Sequence, residues 1–378
     1  MKQTMMVKLQ PTDAQASALL LTMERFNAAC DAIAVVAFRE QMVSKFRLQK
    51  IVYHDIREAF GLSAQLCIRA IAKTAEAYKR DKKIQVSFRP HGAITYDERI
   101  LSWKGVDRVS LLTVNGRVLV PVRFGAYQAA RLDRIKGQAD LIYRDGTFFL
   151  AVTVDAPEAE PHDPTDVIGL DMGIVNIVTD SDGQSFSGAH LNSLRIRHNR
   201  LRAKLQHKGT KPAKRLLNKR RRKEQRFATN TNHIISKQVV AKASDTRRAI
   251  ALENLSGIRE RTGETVRKAQ RRTHHSWSFH QLRFFVEYKA RMAGVRVVAV
   301  DPRNTSRQCA CCGHVAKENR RSQSEFLCVS CGYAANADYN AAMNLRERGR
   351  ASVNMPYVGE QSASLAATHK PTALAVGG

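Results

Sequence analysis

The stretch Val167-Ile168-Gly169-Leu170-Asp171-Met172-Gly173 decides how this chain is read. A short apolar run closed by an acid and followed by glycine has the length and composition of a strand buried on both faces. C-terminal to it, a second strand is expected over 174–179. A turn at Asp182-Gly183 then precedes Gln184-Ser185-Phe186, and the three pieces make a meander. Further on, 249–255 reads as a strand containing Glu253, 279–293 as a helix, 295–300 as a strand, and 337–346 as a helix opening with Asp338. Strands that alternate with helices in this way argue for an α/β sheet.

On the N-terminal side, the acidic, proline-bearing stretch 156–164 marks a domain boundary. Before it, Asn115-Gly116 and Asp145-Gly146 each sit between strand-like runs. That is a strong hairpin signal, so 86–156 is expected to be an antiparallel sheet or small barrel. Met5 begins a short strand, and Thr12 and Gln15 have capping-box spacing. Leu19, Met23, Phe26, Cys30, Ile33 and Ala37 then recur at helical intervals, as do Leu66, Ile71, Ala75 and Tyr78, so roughly 12–82 should be helical. Cys30 and Cys67 read as buried core thiols.

Two CxxC knuckles, Cys309-Ala310-Cys311-Cys312-Gly313 and Cys328-Val329-Ser330-Cys331-Gly332, are separated by fifteen residues. The spacing lets both thiolates of a knuckle face one ion, and two knuckles complete a tetrahedral Zn²⁺ shell. Cys309, Cys312, Cys328 and Cys331 are the expected ligands, with Cys311 a bystander. A pair of buried disulfides is the alternative, disfavoured in a reducing compartment. A closed four-cysteine site has no open position for chemistry, so its role should be structural.

The 378 residues carry 62 Lys and Arg against 34 Asp and Glu, a formal net charge of +28. With 43% hydrophobic residues the composition is that of a globular protein, and the charge implies a polyanionic partner. No apolar run approaches a membrane span and the first residues lack a signal peptide's apolar core, so a cytoplasmic location and no membrane partner are expected. Between 195 and 226, fifteen basic residues meet one acid, Glu224, for a net +14. This segment is either a solvated charged helix pair or a nucleic-acid contact. So dense a charge repels itself without a polyanion, which favours contact through Arg200, Arg202, Lys204, Lys214, Arg215, Arg220, Arg221 and Arg222. Arg271 and Arg272 lie in a Gly- and Arg-containing stretch, 256–275, that reads as a loop and adds to the same set. Trp277, Phe279 and Phe285 could stack bases, although helix core is the better reading for the two Phe.

Asp171, Glu253 and Asp338 stand where an acid needs a partner. Each has an ordinary alternative: a turn residue before Gly173, a strand-end acid paired with an Arg, and a helix N-cap. Together, on two strands and a helix of one sheet, they suit a pair of Mg²⁺ ions about 4 Å apart, with Mn²⁺ as a substitute, acting on a phosphodiester.

The ordered set Gly169-Leu170-Asp171-Met172-Gly173, Leu252-Glu253-Asn254-Leu255, Thr305-Ser306-x-x-Cys309-x-x-Cys312-Gly313, Cys328-x-x-Cys331-Gly332 and Asp338-Tyr339-Asn340-Ala341-Ala342-Met343-Asn344-Leu345 resembles the TnpB (OrfB) proteins of bacterial insertion sequences, relatives of the compact type V CRISPR nucleases. Leu9-Gln10-Pro11-Thr12 resembles the family's start. The resemblance implies an RNA-guided DNA endonuclease with a RuvC-type, RNase H-like domain over 166–302 and 334–350, whose acids map to Asp171, Glu253 and Asp338. It further implies a basic helical insertion at 195–245 and a zinc ribbon at 303–333. A β wedge module at 1–11 and 83–160 would grip a guide RNA derived from the transposon end, and a helical recognition lobe at 12–82 would lie beside the heteroduplex with double-stranded target DNA. The loop after Glu253 would gate single-stranded DNA, and 351–378 would be a disordered tail. A transposase, a nuclease-silent guided binder and an unguided junction resolvase are the competing readings.

Overall fold

In the computed structural model, which describes residues 1–81, 83–220, 223–254 and 279–353, the chain divides into two units, Met1–Pro157 and Glu158–Gly378. The first unit opens with β1 (Lys2–Leu9), whose alternation buries Met5, Val7 and Leu9 on one face. Helices α1 (Asp13–Arg39), α2 (Lys45–Phe60) and α3 (Ala64–Arg80) follow. Thr12 and Gln15 form the capping box that starts α1, with Gln15 N donating to Thr12 Oγ1 at 3.3 Å and Thr12 N donating to Gln15 Oε1 at 3.0 Å. Leu19, Met23, Phe26 and Ile33 of α1 pack with Leu66, Ile71 and Tyr78 of α3 in one core shared with the sheet. Burial pushes the thiol of Cys30 up to about 12 and that of Cys67 to about 11, so both stay protonated and inert.

Six more strands complete this unit: β2 (Ile94–Tyr96), β3 (Leu101–Lys104), β4 (Arg108–Thr113), β5 (Gly116–Arg123), β6 (Ile135–Arg144) and β7 (Thr147–Asp155), with a one-turn helix α4 (Ala126–Ala129) before β6. They form one seven-stranded antiparallel sheet in the order β2-β6-β7-β1-β5-β4-β3. Asp145 and Gly146 close the β6–β7 hairpin with φ of 51° and 78°, the left-handed pair a two-residue turn demands. The β4–β5 hairpin turns one residue earlier than the sequence suggests, at Val114 and Asn115, because Gly116, at φ 101°, already pairs with Thr113 as the first residue of β5.

The second unit is an α/β sheet in the order β10-β9-β8-β11-β12, built from β8 (Asp166–Asp171), β9 (Asn176–Asp180), β10 (Ser185–Ser187), β11 (Arg248–Glu253) and β12 (Val297–Val300). Strands β8, β11 and β12 are parallel, while β9 and β10 extend the sheet antiparallel as the expected meander. Between β10 and β11 run α5 (Ala189–Lys208), α6 (Lys211–Arg220) and α7 (Lys223–Asp245). Helix α8 (Phe279–Met292) precedes β12, the small hairpin β13 (Glu325–Leu327) and β14 (Ala334–Asn336) follows, and α9 (Ala337–Val353) ends the described chain.

Alternation gives this sheet two different faces. Ile168, Leu170, Ile250 and Leu252 pack against Ile235, Val239 and Val240 of α7 and Leu282 and Val286 of α8. Helix α7, expected inside a basic insertion, is therefore a layer of the core, and only α5 and α6 are largely outside it. The opposite face offers Val167, Ala249, Ala251 and Val300 to Leu345 of α9. Here the residues are small for a reason. A Cβ on Gly169 would lie 2.0 Å from the carbonyl oxygen of Ala342, and one on Gly349 would lie 2.6 Å from the Ala251 Cβ. Helix α9 runs to Val353 rather than stopping near 346, because Arg350 pairs with Asp166 and Glu347 and Val353 packs on this face. Residues 351–353 are thus helical, and the remainder of the expected tail, 354–378, lies outside the described residues.

Because the atoms facing Gly169 are helix backbone, Gly169→Ala should cost at least the 1–3 kcal/mol typical of overpacking. Thermal denaturation followed by circular dichroism should show the midpoint falling by about 2–4 °C per kcal/mol, and an unchanged midpoint would contradict this close approach.

Candidate functional site

Leu170 of β8 lies opposite Leu252 of β11, so the next residues, Asp171 and Glu253, stand side by side at the C-terminal ends of parallel strands. That is where open α/β sheets place ligand sites. Both share the alternation phase of Val167, Ala249 and Ala251, which puts them on the face covered by α9. The second residue of α9 is Asp338. Its N-terminus is capped by Asn336, whose Oδ1 accepts from Asp338 N at 2.9 Å and Tyr339 N at 3.2 Å. Asp338 is therefore not spent as a cap, and the structure brings the three sequence-predicted acids together.

Their electrostatics differ. Burial, followed by the charges of Glu253 and Asp338, raises the Asp171 carboxyl to about 8, with Arg320 opposing. Burial also raises Glu253, against a hydrogen bond from Thr305 and the charge of Arg348. Thr305 Oγ1 donates to Glu253 Oε1 at 2.9 Å, and Asn176 Nδ2 donates to Asp338 Oδ2 at 3.0 Å. Arg320 approaches Asp338 Oδ1 at 3.9 Å. Among the described residues, no hydrogen bond or ion pair reaches the Asp171 oxygens. A half-buried carboxyl in that condition, flanked by two more, suits a divalent cation held by oxygen. Asn176, Thr305 and Arg320 were not singled out from sequence as site residues. An asparagine starting a strand and one arginine among many carry no distinguishing signal, and Thr305 stood only as part of a motif.

The four cysteines gather more tightly: their sulfurs all lie within 4.8 Å of one another, which no other group of potential ligands achieves among the described residues. Sγ separations of 3.7 Å for Cys309–Cys331 and 3.6 Å for Cys312–Cys328 match the edge of a tetrahedron built on metal–sulfur bonds of about 2.3 Å. The thiols are free, so the disulfide alternative does not hold. The knuckles repeat one geometry. Cys309 N donates to His314 O and Cys328 N to Tyr333 O, both at 2.9 Å, while Gly313 and Gly332 turn the chain with φ of 75° and 73°. These four cysteines could hold a metal ion. Cys311 is exposed and outside the group.

Arg200, Arg202, Lys204, Lys214 and Arg215 are exposed on α5 and α6, and Arg220 is half-buried at the end of α6. Glu224, the one acid of the segment, lies 3.4 Å from the buried Arg195 and 4.0 Å from Arg202, so it ties α5 to α7. Phe285 is core, stacked on His233 with ring centroids 3.9 Å apart. Arg221, Arg222, Arg271, Arg272, Trp277 and the loop 256–275 lie outside the described residues. No described helix is long and apolar enough to cross a membrane.

Two segments match family models: 149–256 the OrfB_IS605 model, described as "Probable transposase", and 279–345 the "Cas12f1-like, TNB domain". The chain is 33% identical over 223 residues to "Putative RNA-guided DNA endonuclease InsQ" of Escherichia coli K12, covering 54% of this chain and 55% of that protein. It is 29% identical over 195 residues to "TnpB-like protein MJ0751" of Methanocaldococcus jannaschii, covering 49% of this chain and 69% of that one. The likeness to TnpB (OrfB) proteins read from the motifs therefore holds. The chain spans about half the length, or less, of the first curated relatives it matches. Its fold is shared with a solved Cas12f1 in a complex with sgRNA and target DNA, at a TM-score of 0.60 and 15% identity over 87% of this chain and 82% of the other.

The raised carboxyl of Asp171 gives a stability prediction. Between its unfolded value of 3.8 and about 8, the folded chain keeps a proton that the unfolded chain has lost, so stability from this group falls as pH rises through that window. In chelator-treated buffer lacking divalent ions, Asp171→Asn should raise the melting midpoint at pH 8.5 by several degrees and much less at pH 5. Equal midpoints at both pH values would count against the burial and crowding described. At the cysteines, elemental analysis should find one ion per chain, and Cys312→Ser should lower that content sharply.

Proposed function

We propose that the protein is an RNA-guided DNA endonuclease of an insertion-sequence element, with Asp171, Glu253 and Asp338 as the metal-binding acids of a RuvC-type, RNase H-like site. The observation that carries this reading is the convergence of carboxylates from β8, β11 and α9 on Asp171, which is half-buried and, among the described residues, without a hydrogen bond or ion pair, in a chain of net charge +28. The names of the relatives and the shared Cas12f1 fold support it.

The acids would hold two Mg²⁺ ions, or Mn²⁺, and the cysteines one structural Zn²⁺. Bound there, the ion pair would activate water and stabilise the leaving oxygen of a phosphodiester. The remaining work belongs to the chain. Thr305 and Asn176 hold one oxygen each of Glu253 and Asp338, and the other oxygens would be free to bind ions. Arg320 adds positive charge beside Asp338, where a scissile phosphate would sit. Hydrolysis in line with a 3′ leaving oxygen gives 5′-phosphate and 3′-hydroxyl ends. The exposed cations of α5 and α6 would track the nucleic-acid backbone, and the N-terminal unit, as wedge and recognition lobe, would hold guide RNA derived from the transposon end beside the target duplex. The family description of 149–256 as a transposase supports a second reading, in which the same acids cut and rejoin transposon ends.

RNA that co-purifies with the protein should be a defined species with a variable end, and the complex should cut double-stranded DNA matching that end in Mg²⁺. Asp171→Ala should abolish cutting and leave RNA binding intact. Cutting by that variant would remove the acids from the site, and strand joining without RNA would establish the transposase instead.

A further inference from the structure

A hydrogen-bonded path runs from the cysteine cluster to the carboxylates. Asn340 and Asn344 lie one turn apart on α9, with 0% and 4% of their surface exposed, and both reach the strand of chain that leads into the first knuckle. Asn344 Nδ2 donates to Thr305 O at 2.9 Å and Gln308 O at 2.7 Å, and Asn340 Nδ2 also donates to Gln308 O, at 2.8 Å. Asn340 Oδ1 accepts from Ala310 N at 3.0 Å, between Cys309 and Cys312. The far end of the path is the Thr305 hydroxyl, which lies within bonding distance of Glu253 Oε1 at 2.9 Å and of Pro302 O at 3.1 Å. Thr305 is only 3% exposed and sits in a turn outside any helix or strand, where Thr305 N donates to Pro302 O at 3.4 Å and the asparagine strap adds long-range anchorage.

We propose that Thr305 is a positioning residue for Glu253, and that the cysteine module, strapped to α9 through Asn340 and Asn344, is what holds Thr305 against that carboxylate. The proposal rests on the reading of Glu253 as a metal ligand and adds to it a role for the cysteine module at the acids. Three properties favour the role. The donated proton occupies one oxygen of Glu253 and leaves the other for a cation. The same asparagines that fix Thr305 sit on the helix that carries Asp338, so one strap sets two of the three acids. A hydroxyl orients an anion without adding a charge that would compete with a cation, as a lysine in its place would. Partners of this kind around metal ligands are worth about 10–100-fold in metal affinity or activity.

The test is Mn²⁺ binding to the full chain, measured by electron paramagnetic resonance of free Mn²⁺, for wild type, Thr305→Val, Thr305→Ser and Asp171→Asn, with zinc content and melting midpoint measured on the same samples. Thr305→Val should weaken Mn²⁺ binding about 10-fold at unchanged zinc content, and Thr305→Ser should restore it. If valine disturbs the fold, as lost zinc or a lowered midpoint would reveal, Thr305→Ala removes the same hydroxyl with less bulk. Wild-type affinity in the valine and alanine variants, alongside weakened binding in Asp171→Asn, would overturn the positioning role and leave the metal site standing. Wild-type Mn²⁺ binding no stronger than that of Asp171→Asn would overturn both.

Discussion

Helix α9 lies on strand β8 with its backbone against the strand, and the second unit is arranged around that contact. A helix can come so close only where the strand offers no side chain, which is the service of Gly169. Ala249, Ala251 and Gly349 keep the surrounding surface low. Asp166, bonded to Arg346 and Arg350 of the same helix, then fixes its rotation. The carboxylates follow from this. Asp171 and Glu253 are placed by strand register alone, but Asp338 reaches them only because its helix rests on the sheet. A residue that lifted α9 by an ångström would separate the third acid from the other two, and a displacement of that size is enough to cost an active site about 100-fold.

Much of this was legible in the sequence, for local reasons. Period-two burial, the Asp145-Gly146 turn, the capping box at Thr12 and the knuckle glycines are each decided by a few adjacent residues, and the structure uses them in those ways. The partners of the acids were not legible, because they come from distant segments. Asn176 meets Asp338 across 162 residues and Thr305 meets Glu253 across 52. The part played by α7 was hidden differently. Its basic beginning continues the charge run of α5 and α6, which masked the apolar stripe Ile235, Val239, Val240 that makes its second half a core helix. The end of α9 was missed for a related reason: Arg350 looks like one more cation until Asp166 is seen beside it.

The acids and the basic helices answer the same problem from two sides. Three carboxylates repel the phosphate that the proposed reaction must bring to them, and surface cations act over only about 8 Å at physiological salt. The exposed residues of α5 and α6 would therefore attract a polyanion only over that short range. Among the described residues, the cations whose charge is felt within the site are Arg320 at Asp171 and Arg348 at Glu253. They do not offset the three crowded carboxylates: burial, then the charges of Glu253 and Asp338, still raise the Asp171 carboxyl to about 8. Divalent cations bound by the acids would reverse the sign of the site. In the proposed function the excess of +28 would recruit nucleic acid, and metal would admit it to the carboxylates. The two functions are separable: charge on α5 and α6 should govern salt-sensitive binding, while the acids and their hydrogen-bond partners should govern the response to divalent ions.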